Sequence, residues 1–145
     1  MADKFVIDCI TPKSGDGKAQ CREPNVYAEA CPSRAILELI ADKWTLLILP
    51  ALRRGPKRNG DLMRQIGGVS QKMLTQTLRE LERNGLVARL DHQEVPPRVD
   101  YELTDLGRSL SEAVRKLDSW AENHIPEVQT ARAAFEKRER AASRR

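Results

Sequence analysis

The stretch from Asp61 to Leu103 constrains this chain more than any other, because turn residues and apolar spacing alternate there in a fixed order. Leu62 and Ile66 sit four apart, one turn of a short helix over Asp61–Ile66. Gly67-Gly68 break that pattern. Ser70 then offers a side-chain oxygen to the unpaired N–H groups at the start of a second helix, and Leu74, Leu78 and Leu81 follow on one face of it. Asn84-Gly85 end that helix, since Gly85 can take the left-handed backbone a helix terminus needs. Leu86–Leu90 and Val99–Leu103 read as the two strands of a hairpin, with Val99, Tyr101 and Leu103 alternating to one side. Pro96-Pro97 keep the connecting loop out of the ladder.

The flanks complete a small domain. Pro32 suits the first position of a helix over residues 32–43, where a missing N–H costs nothing, and Ile36, Leu37, Leu39 and Ile40 give it a broad apolar face. Thr45 is placed to cap a second helix through Leu52, apolar nearly all round and therefore central; Pro50 should kink or shorten it. Thr104 is placed to cap a long helix striped by Leu106, Leu110, Val114, Leu117 and Trp120 or Ala121, which Pro126 is expected to stop. Residues 127–145, rich in Ala and Arg, are expected to be a frayed helix or disordered. The reading is of a mainly α (α+β) fold: a winged helix-turn-helix with a two-stranded antiparallel wing and a long C-terminal helix. Its organisation is an arm at 1–30, the domain at 31–125 and a basic tail at 126–145.

Charge is unevenly spread. The chain of 145 residues carries a formal +4. Residues 53–98 hold ten Lys/Arg against five Asp/Glu, and residues 130–145 hold six against two, whereas the first 30 hold four against five. The surplus therefore lies in the helix-turn-helix segment and the tail, where it favours a polyanion. No apolar run approaches the roughly 20 residues of a membrane span, and the N-terminus lacks a secretory pattern, so the expected location is the cytoplasm, without membrane contact. Cys9, Cys21 and Cys31 are an odd set with no CxxC, and His92 and His124 lie far from them. That spacing suits neither a disulfide framework nor zinc. No catalytic set, HExxH motif or phosphate-cradling glycine loop occurs, so the reading is not an enzyme, with no metal and no cofactor.

With its leucines buried, the Ser70–Asn84 helix would present Ser70, Gln71, Lys72, Thr75, Gln76 and Arg79, none of them acidic. Gln can pair with adenine, Lys and Arg with guanine, and Thr with the thymine methyl. Such a helix, preceded by a tight turn, is the element that enters the major groove of double-stranded DNA. On the wing, Arg98 beside two prolines can reach a minor groove, or instead pair with Glu94 or Asp100. Arg53, Arg54, Lys57 and Arg58 are candidates for phosphate contacts.

Three segments, Ala41 to Leu49 (ADKWTLLIL), Val69 to Val87 (VSQKMLTQTLRELERNGLV) and Val95 to Thr104 (VPPRVDYELT), resemble the HxlR (MarR-like) family of winged-helix regulators. The likeness covers residues 31–124 and departs at Asn59, where an aromatic is common, and at Pro50. It implies a homodimer built by the first and last helices, around Ile36–Ile40 and Leu106–Trp120. It also implies DNA reading by the helix that starts at Ser70 and by the wing. A transcription repressor acting on a near-palindromic operator is the expectation. A cysteine just before the first helix is common in such proteins, and Cys31 sits there as a possible redox sensor. At a helix cap, the dipole would lower the pKa of its thiol; the alternative is a buried small hydrophobe. Two further readings stay open. One is a signal carried by a small molecule held between the helices of Trp44 and Trp120; the other is a domain that binds protein rather than DNA.

Overall fold

A computed structural model of the chain describes residues 25–145. Its elements follow in the order α1 (Pro32–Ile40), α2 (Lys43–Ala51), β1 (Lys57–Arg58), α3 (Asn59–Gln65), α4 (Gln71–Arg83), β2 (Val87–Asp91), β3 (Val99–Leu103) and α5 (Asp105–Ser143). This is the mainly helical winged helix-turn-helix read from the sequence, with one addition. The sheet has three antiparallel strands in the order β1-β3-β2, because Lys57 and Arg58 pair with Tyr101 and Asp100. The hairpin itself pairs Val87 with Leu103 through to Asp91 with Val99.

The core forms where the apolar faces converge. Ile48, Leu49 and Leu52 of the central segment, Leu62 of α3, Leu74, Leu78 and Leu81 of α4, and Val114 of α5 are all buried, closed on the sheet side by Leu86, Val87, Tyr101 and Leu103. Each such side chain contributes about 1.5–3 kcal/mol relative to leaving it in water. Gly107 marks the tightest approach in this packing. A Cβ there would lie 1.9 Å from the Leu86 carbonyl oxygen. The same corner is tied by the Thr104 N–H donating to Leu86 (3.1 Å) and the Thr104 hydroxyl donating to Gly85 (2.6 Å).

Three expectations at helix ends are corrected, the first being α1, read to residue 43, which stops at Ile40 because Lys43 already opens α2. The cap of α2 is Asp42, whose carboxylate accepts from the N–H groups of Trp44 (3.0 Å) and Thr45 (3.1 Å). Thr45 lies inside the helix, and its buried hydroxyl has no hydrogen-bond partner. An aspartate three residues ahead of the apolar run is the better acceptor, because its charge also favours the helix N-terminus. Pro126 does not stop α5. The helix runs on through it to Ser143, 39 residues in all and about 58 Å long. A proline costs one backbone bond, and the Ala-, Glu- and Arg-rich sequence beyond it is strongly helix-forming. The segment expected to fray or disorder is therefore helical. Thr104 does cap this helix, accepting from the Gly107 N–H at 3.0 Å.

Candidate nucleic-acid interface

Helix α4 is positioned by its buried side. Ser70 caps it by accepting from the Met73 N–H (3.1 Å), and Leu74, Thr77, Leu78 and Leu81 lock one face into the core. The other face is thereby forced outward. Ser70, Gln71, Lys72, Gln76 and Arg79 are exposed and Thr75 is half-buried, with the Gln71 side-chain amide donating to the Thr75 hydroxyl at 3.2 Å. Gln71, Lys72, Thr75, Gln76 and Arg79 border one shallow groove. Glu80 and Glu82 also line it, and Arg83 stands 3.8 Å from Glu80. Such a face can bond base edges and phosphates alike.

The wing is organised around a buried carboxylate that sequence reasoning did not single out as a centre. Asp100 on β3 is 5% exposed. Its Oδ2 accepts from Arg98 Nη2 (3.1 Å) and Nε (3.3 Å) and stands 2.9 Å from His92 Nε2. Its Oδ1, which has no hydrogen bond, faces Arg58 Nε at 3.7 Å. Burial pushes this carboxyl up, but the hydrogen bonds and positive charges of Arg98 and His92 outweigh it and hold Asp100 below its ordinary value. Arg98 thus adopts the Asp100 pairing, although its side chain stays 43% exposed. The sequence offered the Arg98–Asp100 pairing, two residues apart where β3 begins, but not the convergence of His92 and Arg58 on the same carboxylate.

The other basic candidates divide. Arg54 is exposed, Lys57 is half-buried in β1, and Arg53 is taken up by Glu112 of α5 at 2.5 Å. Cys31 precedes α1 as expected but is 3% exposed and makes no side-chain cap. Its sulfur accepts from the Asn25 N–H at 3.3 Å. Cys9 and Cys21 lie outside the described residues. Between α2 and α5 a cleft of about 240 Å³ is lined by Leu47, Pro50, Ala51, Gln65, Ile66, Gly67 and Asp118, so neither Trp44 nor Trp120 lines it. Burial, and secondarily Glu122, pushes the Asp118 carboxyl up.

One further surface stands out. Helix α1 has no buried residue. Ile36 and Leu37 on it, Leu47 on α2, and Leu106, Leu117 and Trp120 on α5 are all large apolar side chains at least 40% exposed. No helix among the described residues is long and apolar enough to cross a membrane.

Comparison with known proteins places the chain in a family. The model of the HxlR-like helix-turn-helix family matches residues 39–129. The uncharacterised HTH-type transcriptional regulator YtfH of Escherichia coli (strain K12) is 49% identical over 113 residues, covering 78% of this chain and 90% of the relative. The solved structure of ytfH from Salmonella typhimurium superposes with a TM-score of 0.72 at 46% identity, covering 77% of this chain and 99% of the other. The redox regulator HypR in its reduced form superposes with a TM-score of 0.63 at 34% identity, covering 68% and 98%.

Proposed function

The chain belongs to the HxlR-like helix-turn-helix family and is a transcriptional regulator, and on that premise we propose that it acts in the cytoplasm as a homodimeric repressor of a near-palindromic operator. The observation that carries this reading is the outward face of α4: Gln71, Lys72, Gln76 and Arg79 exposed together on a helix whose opposite face is fixed in the core. Ser70, Thr75 and Arg98 join them, Ser70 at the helix start and Arg98 on the wing. The uncovered apolar side chains of α1 and α5 support pairing of two subunits. An isologous pairing there would set the two reading helices about one DNA turn apart, roughly 34 Å.

A salt titration tests it. A protein that neutralises about six phosphates loses roughly a thousandfold in affinity between 50 and 200 mM salt. That slope on operator fragments selected from genomic DNA is the expected result. A chain with no salt-dependent affinity for any duplex would instead be a protein-binding module.

The likeness to a redox regulator favours oxidant or electrophile signalling through Cys31. At 3% exposure the thiol is shielded, so a reaction there requires residues 25–31 to open, and the modified sulfur would then displace the start of α1 within the paired helices. A Cys31→Ser chain should bind its operator normally yet no longer release it on treatment with peroxide or diamide. An unchanged response would remove Cys31 from the account and turn attention to a small-molecule effector in the cleft beside Asp118.

A further inference from the structure

Beyond Asp118 the last helix leaves the body of the molecule. From Ser119 to Arg145 every residue is exposed except His124 and Val128, which are half-buried. The family match ends at residue 129, yet α5 continues to Ser143. Most helical stability in proteins comes from packing an amphipathic face, and this helix is patterned for a support that the described residues do not supply.

Val114, Leu117, Ala121, His124, Val128, Ala131 and Phe135 succeed one another by steps of three and four. This is the 3.5-residue repeat of a left-handed coiled coil, and a straight helix keeps such a seam on one side only by supercoiling with another. The stripe starts in the core, where Val114 is 1% exposed, and runs out into solvent, where Leu117 and Phe135 are 55% and 56% exposed. Val128, Ala131 and Phe135 border one shallow groove, with Arg132 and Glu136 on its rim. Once the helix has left the core at Val114, the a positions are Ala121, Val128 and Phe135 and the d positions Leu117, His124 and Ala131, and the flanking positions acquire meaning. Trp120 and Glu127 fall at g, and Ile125 and Arg132 at e. In a parallel pair each g residue faces the e residue five places on in the other helix. Trp120 then meets Ile125 of the partner subunit, Glu127 meets Arg132 of the partner subunit, and two-fold symmetry makes each contact twice. An antiparallel pair, which sets g against g, makes neither contact.

Two details fit the same seam. Pro126 falls at f, the position farthest from the partner. His124 at d is stacked on Trp120 of its own helix (4.8 Å between ring centres) and donates its Nδ1 proton to the Trp120 carbonyl at 2.8 Å. A single polar residue at a core position of this kind fixes register.

We propose that residues 117–135 of α5 form a parallel two-stranded coiled coil with a second copy of this chain, carrying the pairing surface of α1 and α5 a few residues beyond the family match. The proposal rests on the homodimer reading, and the tests below separate the two. Val128→Cys in the full chain should form an intermolecular disulfide on mild oxidation, because a positions face each other across a parallel, in-register pair. Ala133→Cys, at f, should stay at the level of the parent, which controls for the native cysteines. Equal cross-linking of both variants would overturn the proposal, as would a Val128→Cys disulfide closing within one chain onto Cys9 or Cys21. Glu127→Arg should weaken the dimer roughly fivefold in sedimentation, the scale of two exposed ion pairs, and adding Arg132→Glu should restore it. Failure of the second charge to rescue the first would also overturn it. A parent that sediments as a dimer while Val128→Cys fails to cross-link loses only the coiled coil; a monomeric parent loses the homodimer as well.

Discussion

Asp100 holds three cationic or protonatable neighbours on one buried carboxylate, and that arrangement gives single residues of the wing distinct roles. Because the folded state holds this group below its ordinary value, its contribution to stability is complete above about pH 4, the unfolded carboxylate range, and is lost as pH falls through the lower folded value. The melting temperature of the parent should therefore drop on acidification more steeply than that of Asp100→Asn, which has no such proton to take up. Thermal melts of the two chains from pH 6 to pH 2 measure the difference. The same pairing governs Arg98. Its charge is held at the wing by Asp100, so Arg98→Ala should weaken binding about evenly across DNA sequences, by the amount of a lost backbone contact. Arg79→Ala should instead relax base preference, at a cost of about 1–3 kcal/mol on the preferred site. Equal loss of preference in the two variants, measured by competition with mismatched operators, would contradict that division.

At the scale of elements, the corner between β2 and α5 is the least forgiving. Alanine is a better helix former than glycine by about 1 kcal/mol, yet a Cβ at Gly107 would meet the Leu86 carbonyl, which is backbone and cannot swing aside. Gly107→Ala should thus destabilise by about 1–3 kcal/mol, the usual cost of overpacking, and lower the melting temperature by several degrees. Helix α4 was legible in the sequence because its cap, leucine spacing and terminal glycine all agree, and the exposure of its polar face follows from that agreement. Strand β1 was not, since two residues have no periodicity and pair only because Tyr101 and Asp100 are already in place. Thr45 was read as a cap because it stands beside the apolar run, whereas the cap geometry needs an acceptor at the start of the turn, which Asp42 supplies. Pro126 was read as a stop because a proline forbids one hydrogen bond; the local rule holds, but one missing bond is offset by the helix-forming residues on both sides. The Arg98–Asp100 pair was legible because the two stand two residues apart where β3 begins, whereas His92 and Arg58 join it only when three segments meet.

For the molecule as a whole, the uncovered apolar side chains are the dominant fact. Leu37→Lys on α1 should weaken subunit pairing at least tenfold, since it replaces apolar contact by a charge that must stay hydrated. Because two linked half-sites bind far more tightly than one, operator affinity should fall in parallel. Sedimentation and operator titration on the same preparation check this, and tight operator binding by a monomeric Leu37→Lys chain would show that pairing lies elsewhere.

Helix α1 has no fully buried residue, and Leu39 packs only partly against the core. If two copies pair as proposed, α1 gains further packing from the partner subunit, and an unpaired copy holds that helix less firmly. The rarer this regulator is in a cell, the larger the share of its copies in that softened condition. The amount of the regulator would then be one factor in how often residues 25–31 open over the Cys31 thiol.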